Sequence, residues 1–398
     1  MDEVRNVRPL PTGAAAGALM AVLTAFRGLA VAAPHRPAGG VAGWRVTARL
    51  RLAARDVAMA PGGRLAAALV ARPTPRIIWI DPTSGRAAGS VALPAAPTEA
   101  VFDATGRELI VTYGACGFGP VPCARTASAT ILRSGGRSLH SVATGSGTTV
   151  LAAVPGSADV LVGADGAGTV DLVDAASGRI LRTFDVGSGI LGTLAVDAAG
   201  TEAAVSNLTA GTVTMLDLVT GTVGAVANVS QEVGAMAFDS GAPYLFVGQA
   251  QGQSVDVVHT VGGAVPYAGR ATDQVGPLVY LPSARILVAG SLTAQTIVLF
   301  DVRPTGSILP SGPSQTVAIG VPAAGRIAAL APAVGQSELL VAAQHGLGIL
   351  AGPTFAPAQR LLPAALGGEP LAVDAADGAR AIVLAGPYVD IVTRGGRS

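Results

Sequence analysis

Apolar runs of four to six residues, broken by Gly, Asp, Ser and Thr, recur along nearly the whole chain after Trp44. The clearest unit reads Val160-Leu161-Val162-Gly163, a glycine-rich turn, then Thr169-Val170-Asp171-Leu172-Val173-Asp174. A turn at Ala176-Ser177-Gly178-Arg179 and a segment from Ile180 to Val186 complete it. The next unit repeats the pattern as Ala204-Val205-Ser206-Asn207, Thr212-Val213-Thr214-Met215-Leu216-Asp217, Thr220-Gly221 and Val223 onward. Runs this short, rich in Val and Thr and bounded by turn residues, predict strands joined by hairpins. The Asp followed by Ser-Gly or Thr-Gly is turn chemistry, because the carboxylate accepts from nearby N–H groups and glycine takes a positive φ.

The third segment of the unit recurs as Ile77-Ile78-Trp79-Ile80-Asp81, Ser254-Val255-Asp256-Val257-Val258-His259 and Thr296-Ile297-Val298-Leu299-Phe300-Asp301, with weaker copies ending near Arg133, Ala351 and Thr393. Successive copies lie 41 to 52 residues apart, the period of a four-stranded propeller blade. The expectation is an all-β single propeller of about eight four-stranded blades, or seven if the divergent unit around Ala129 to Leu132 is an insertion. The chain ends too soon after Val389-Asp390-Ile391-Val392 to complete its last blade. Trp44 to Leu50 alternates apolar with polar residues, as an outer strand with one wet face does. It is therefore expected to close the ring by pairing with the last blade, since an open ring would leave strand edges unpaired.

These copies resemble the YVTN-type repeat family of β-propellers, whose second strand reads Tyr-Val-Thr-Asn and whose third reads Thr-Val-x-Val-Ile-Asp. The second-strand positions here are Ile110-Val111-Thr112-Tyr113, Ala204-Val205-Ser206-Asn207, Phe246-Val247-Gly248-Gln249 and Leu287-Val288-Ala289-Gly290. The resemblance covers nearly all of the chain after Trp44. It implies a propeller that is commonly seven-bladed and exported, with lactonases and the large subunits of amine dehydrogenases among its relatives. The matching motifs are structural, so they point to fold more than to activity.

Composition narrows the chemistry. All 26 basic residues are arginine, against 25 acids, which excludes any mechanism that needs a lysine, a Schiff base or a phosphate-loop lysine included. No basic cluster interleaves with aromatics, so the footprint of a nucleic-acid binder is missing. Past the N-terminus no run approaches the roughly 20 apolar residues of a spanning helix. At the N-terminus, Arg5 and Arg8 precede an apolar run from Gly13 to Phe26 and a small-residue stretch ending Ala30-Val31-Ala32. Those are the three parts of a secretory signal peptide. The division read from this is residues 1–32 as signal peptide or N-terminal anchor, 33–43 as linker and 44–398 as propeller, placed in the periplasm or secreted. Cys116 and Cys123, the two cysteines, are expected to form a local disulfide in that compartment.

Candidate chemistry gathers at one mouth of the central channel. The loops entering the innermost strands carry Glu99, Glu232, Asp273 and Glu369, from four blades. Converging carboxylates suit a hard cation such as calcium, whereas exposed loops also carry acids for solubility alone. An insertion from Gly114 to Arg125, holding both cysteines, lies on the same face. His35, His140, His259 and His345 offer no axial ligand or catalytic constellation, and His259 stands where sister units have a turn Asp. The expected function is a non-enzymatic exported scaffold that binds a protein partner or small ligand through this face, as a monomer or a subunit of a complex. The rivals are a metal-dependent lactonase-type hydrolase and the large subunit of a periplasmic redox complex.

Overall fold

Seven antiparallel sheets hold their strands in chain order from the innermost outward, and the eighth takes the N-terminal strand as its outermost. The structure, a computed structural model, describes residues 43–113, 129–136, 139–145, 147–229, 232–271, 273–310, 316–318, 326–333, 338–351, 356–361, 366, 370–375 and 380–395. Among these, every regular element is a strand. Eight sheets form, and their innermost strands neighbour one another in succession around a ring, that of blade 8 returning to that of blade 1. The divergent second unit is a full blade, Pro97–Phe102, Glu108–Tyr113, Ala129–Arg133 and Leu139–Val142, so the count is eight. In blade 6 the outermost position is split between Ile308–Pro310 and Thr316–Ala318, both paired with Thr296–Val302.

The core lies between blades. Leu69, Ile77 and Trp79 of blade 1 pack against Ala100, Leu109 and Val111 of blade 2 in one buried cluster, and the Trp79 and Phe102 rings stand 6.3 Å apart. The Trp79 indole Nε1 donates to the Gly136 carbonyl at 3.0 Å. Each such Leu or Ile contributes about 1.5–3 kcal/mol by leaving water. Because every blade supplies one face to each neighbour, no blade can bury its apolar surface alone.

The ring closes through the N-terminal strand. Trp44–Arg51 pairs antiparallel with Tyr388–Arg394 as the outermost strand of blade 8, and its side chains alternate between covered and open as the sequence pattern requires. Arg49 grips Asp390 with two bonds, Nε to Oδ1 at 2.6 Å and Nη2 to Oδ2 at 3.2 Å. Trp44 is 1% exposed. It also reaches blade 7, where its N–H donates to Gln359 Oε1 at 3.0 Å.

Turn chemistry follows the sequence. Asp174 Oδ1 accepts from Ala176 N and Asp217 Oδ1 from Val219 N, both at 2.9 Å. Gly221 then takes φ 77°. The Gly263 N–H donates to the His259 carbonyl at 3.0 Å, the bond that Gly178 and Gly221 make to Asp174 and Asp217. The His259 imidazole Nδ1 donates to the Val261 carbonyl at 2.9 Å, so this histidine takes the turn aspartate's position with the side-chain bond reversed.

Candidate functional site

The connection from each outermost strand to the next innermost strand, and the turn between second and third strands, lie at the same end of the ring. At this end every innermost strand begins with a register irregularity. A bulge of this kind leaves a residue unpaired in the ladder and turns the strand entry. Three carboxylates also accept from backbone N–H groups across a blade boundary, that of Asp165 at such an entry and that of Asp374 at the far end of the strand. Glu99 Oε2 of blade 2 accepts from Leu151 N of blade 3 at 3.0 Å, Asp165 Oδ1 of blade 3 from Leu191 N of blade 4 at 2.9 Å, and Asp374 Oδ2 of blade 8 from Met59 N of blade 1 at 2.6 Å.

That use of carboxylates bears on the four acids singled out in the sequence. Glu99 sits inside the innermost strand of blade 2, 8% exposed, with one oxygen committed to Leu151. Asp273 stands just before the innermost strand of blade 6. Its Oδ1 accepts from Gln274 N at 2.8 Å, and its Oδ2 from Ser291 Oγ at 3.2 Å and from Thr293 Oγ1, so it ties down the turn between the second and third strands. Glu232 is half-buried at the entry to blade 5. Its carbonyl accepts from Ala250 N at 2.6 Å, while its side-chain Oε2 is buried with no hydrogen-bond partner. Glu369, Cys116 and Cys123 lie outside the described residues, and with them the disulfide. Among the described residues no three His, Cys, Asp or Glu side chains come together as a metal-binding group.

Two side chains that the sequence reading passed over lie at the same end of the ring as Glu232. Gln249 ends the second strand of blade 5, fully buried. Its Nε2 donates to Asp256 Oδ2 at 2.6 Å, and its Oε1 has no partner. Gln295, in the corresponding turn of blade 6, is also buried. Its Oε1 accepts from His345 N at 3.3 Å, and its Nε2 has no partner. Burial pushes the Asp256 carboxyl above its ordinary value, partly offset by the bond from Gln249. The available signal was an amide at the end of the second strand, Gln249 matching Asn207 of the preceding unit. In blade 4 that position is satisfied: Asn207 Oδ1 accepts from Thr209 N and Ala210 N, and its Nδ2 donates to the Ser188 carbonyl.

No family model matches the chain, and no curated protein matches it in sequence. Among solved structures it is similar to the crystal structure of the C-terminal WD40 domain of Sif2. The TM-score is 0.69 at 9% identity, over 90% of this chain and 100% of that one. At such low identity the likeness bears on fold alone, and the fold is an eight-bladed β-propeller.

Proposed function

We propose that the chain is a non-enzymatic binding scaffold, of the YVTN type and exported, which takes a protein segment or small polar ligand on the entry-loop face of blades 5 and 6. The observation that carries this reading is the trio Glu232 Oε2, Gln249 Oε1 and Gln295 Nε2: buried polar atoms without protein partners, from neighbouring blades at one end of the ring. Leaving such an atom unpaired costs about 1–3 kcal/mol, which favours contact with a hydrogen-bonding group of a partner. One carboxylate oxygen, one amide oxygen and one amide N–H suit a ligand that both donates and accepts, as a peptide backbone does. The fold likeness to a WD40 domain is in keeping with a scaffold role but does not identify a partner.

The test is capture by immobilised protein, comparing the unmodified chain with Glu232→Ala and Gln295→Ala. Loss of a specific partner in both variants, with unfolding temperature unchanged, supports the reading. A calcium-dependent rise in unfolding temperature, abolished by chelator and by Glu232→Ala or Glu369→Ala, would replace it with the metal-dependent hydrolase. Equal capture by all three proteins would remove this face from consideration.

A further inference from the structure

The arginines of this chain are unevenly spread. Residues 43–92, the closing strand and blade 1, hold eight arginines against two acids, although the whole chain holds 26 against 25. Arg49 is bonded to Asp390. Arg45, Arg64 and Arg86 lie at the end of the ring opposite the entry loops, where Asp81 also stands. The other four lie at the entry-loop end. Arg51 ends the closing strand, Arg55 enters the innermost strand of blade 1, and Arg72 and Arg76 belong to the connection between its second and third strands. Arg51, Arg55 and Arg72 are exposed, and Arg76 is half-buried. None of the four forms an ion pair among the described residues.

Arg55 holds a place that singles it out. The ladder between the first two strands of blade 1 skips a residue between Ala54 and Asp56, so Arg55 is the bulged residue. That place is taken by Thr98 in blade 2, Gly234 in blade 5 and Ala328 in blade 7, all buried. In the remaining blades it is uncharged as well. A bulge re-aims the side chain it displaces, and the innermost strands border the channel, so the mouth carries an exposed arginine on blade 1 alone.

The entry-loop face as a whole is divided by charge. From blade 2 to blade 6 it carries Glu99, Asp165, Asp185, Glu232 and Asp273, with Arg270 among them. From blade 7 through blade 8 to blade 1, its described residues carry arginine and no exposed acid, Arg326 and Arg360 of blade 7 joining the four of blade 1. Asp56, beside Arg55, is 5% exposed, and its Oδ1 accepts from Val57 N at 2.8 Å. Cations gathered without acids repel one another and favour an anionic partner.

We propose that the entry-loop face of blade 1 docks an extended acidic segment of a protein partner, whose carboxylates meet Arg55 at the mouth and Arg51, Arg72 and Arg76 behind it. A blade four strands deep measures about 15 Å, more than a single small anion spans and about the length of five extended residues. Guanidinium groups hold carboxylates through paired bonds. Residues 51–55 and 71–76 include no aromatic, so a platform for stacking bases is missing and a nucleic acid fits poorly. The proposal rests on the reading of this face as the one that receives a partner, and adds the partner's charge.

The experiment is fluorescence anisotropy on the full chain with a fluorescein-labelled hexaglutamate, about 20 Å long when extended. Low ionic strength keeps exposed charges least screened. The unmodified chain is expected to bind the peptide saturably. Arg51→Gln/Arg55→Gln/Arg72→Gln is expected to weaken binding about tenfold, roughly twofold for each exposed pair, with its unfolding temperature unchanged. Arg45→Gln/Arg64→Gln/Arg86→Gln removes the same charge at the opposite end and is expected to bind like the unmodified chain. No binding by the unmodified chain, or equal loss in both triple variants, would overturn the inference. Inorganic polyphosphate or phosphatidylcholine–phosphatidylglycerol vesicles held by the unmodified chain and released by the first triple variant, with hexaglutamate unbound, would assign the patch to phosphate and overturn it too. Hexaglutamate binding that persists in Glu232→Ala/Gln295→Ala supports the inference even where the blade 5 and 6 site fails, so the two readings fall separately.

Discussion

Trp44 and Glu338 meet across the seam between blades 8 and 7, the indole Nε1 donating to Glu338 Oε2 at 2.8 Å. The other oxygen of Glu338 accepts from Arg394 Nη2 at 2.5 Å, so one buried carboxylate holds both strands that close the ring. Trp44 is sealed from water, while Arg394 retains some access. Removing the acceptor therefore strands the indole N–H more completely than the guanidinium. Glu338→Ala is expected to destabilise by about 2–3 kcal/mol, the cost of a buried unpaired donor plus a weakened ion pair. Glu338→Gln, which keeps one acceptor, should lose about half as much. Urea midpoints would show the order, and an alanine variant within 0.5 kcal/mol of the parent would mean that closure rests on the strand ladder alone.

The blade count and the closing strand were legible because both rest on recurrence. Third strands ending at Asp81, Asp174 and Asp217 use the same turn bonds, and Trp44 to Leu50 shows its alternation openly. The seam was not legible, since Trp44 and Glu338 are 294 residues apart and no local period links them. The four acids illustrate a different limit. The repeat put Glu232 and Asp273 at strand entries, where they stand, whereas Glu99 lies inside its innermost strand and Glu369 lies outside the described residues. Glu99 spends an oxygen on the Leu151 N–H of the next blade.

Asp256 supplies a pH test. Its carboxyl is raised by burial, with the Gln249 and Ser254 bonds opposing, and Asp171 is raised by burial at the matching position of blade 3. A raised acid means that the folded chain holds its proton where the unfolded chain has released it. The associated stability is complete below the unfolded carboxyl value of about 3.9 and is lost as pH rises through the folded one. Asparagine does not titrate, so Asp256→Asn should gain on the parent as pH climbs from 3.5 to 7. Its amide also offers a donor to Gln249 Oε1. Thermal unfolding at both pH values decides the matter: a difference that is constant with pH, or larger in acid, contradicts the assignment.

Two of the five tyrosines should resist alkali. Burial pushes Tyr113 up to about 12. It does the same to Tyr280, also to about 12, and the Asp239 carboxylate adds to the effect. An unfolded tyrosine ionises near pH 10, so the stability these rings contribute is intact below 10 and disappears between about 10 and 12. Absorbance titration at 295 nm should show part of the tyrosine signal arriving only with unfolding. Replacing Tyr280 with Phe should reduce that delayed part. Full ionisation of all tyrosines by pH 11 in a still-folded protein would refute it.

Gly168 and Gly221 have the same left-handed backbone, φ 65° and 77°, but different surroundings. A Cβ on Gly221 would meet the guanidinium end of Arg182, a flexible group on the surface that can swing aside. On Gly168 it would lie 2.7 Å from the carbonyl group of Gly187 and 2.9 Å from Ser188 N, the backbone of the loop entering blade 4. Both alanine variants lose about 1 kcal/mol to the positive φ. Only Gly168→Ala must also move main chain, which adds about 1–3 kcal/mol. Its total of about 2–4 kcal/mol should exceed that of Gly221→Ala in urea unfolding. Because the displaced loop carries the Ser188 carbonyl that Asn207 Nδ2 holds at 3.2 Å, hydrogen exchange should quicken at the entry to blade 4 in Gly168→Ala and not in Gly221→Ala. Equal costs in the two variants would show that the loop yields as readily as the arginine.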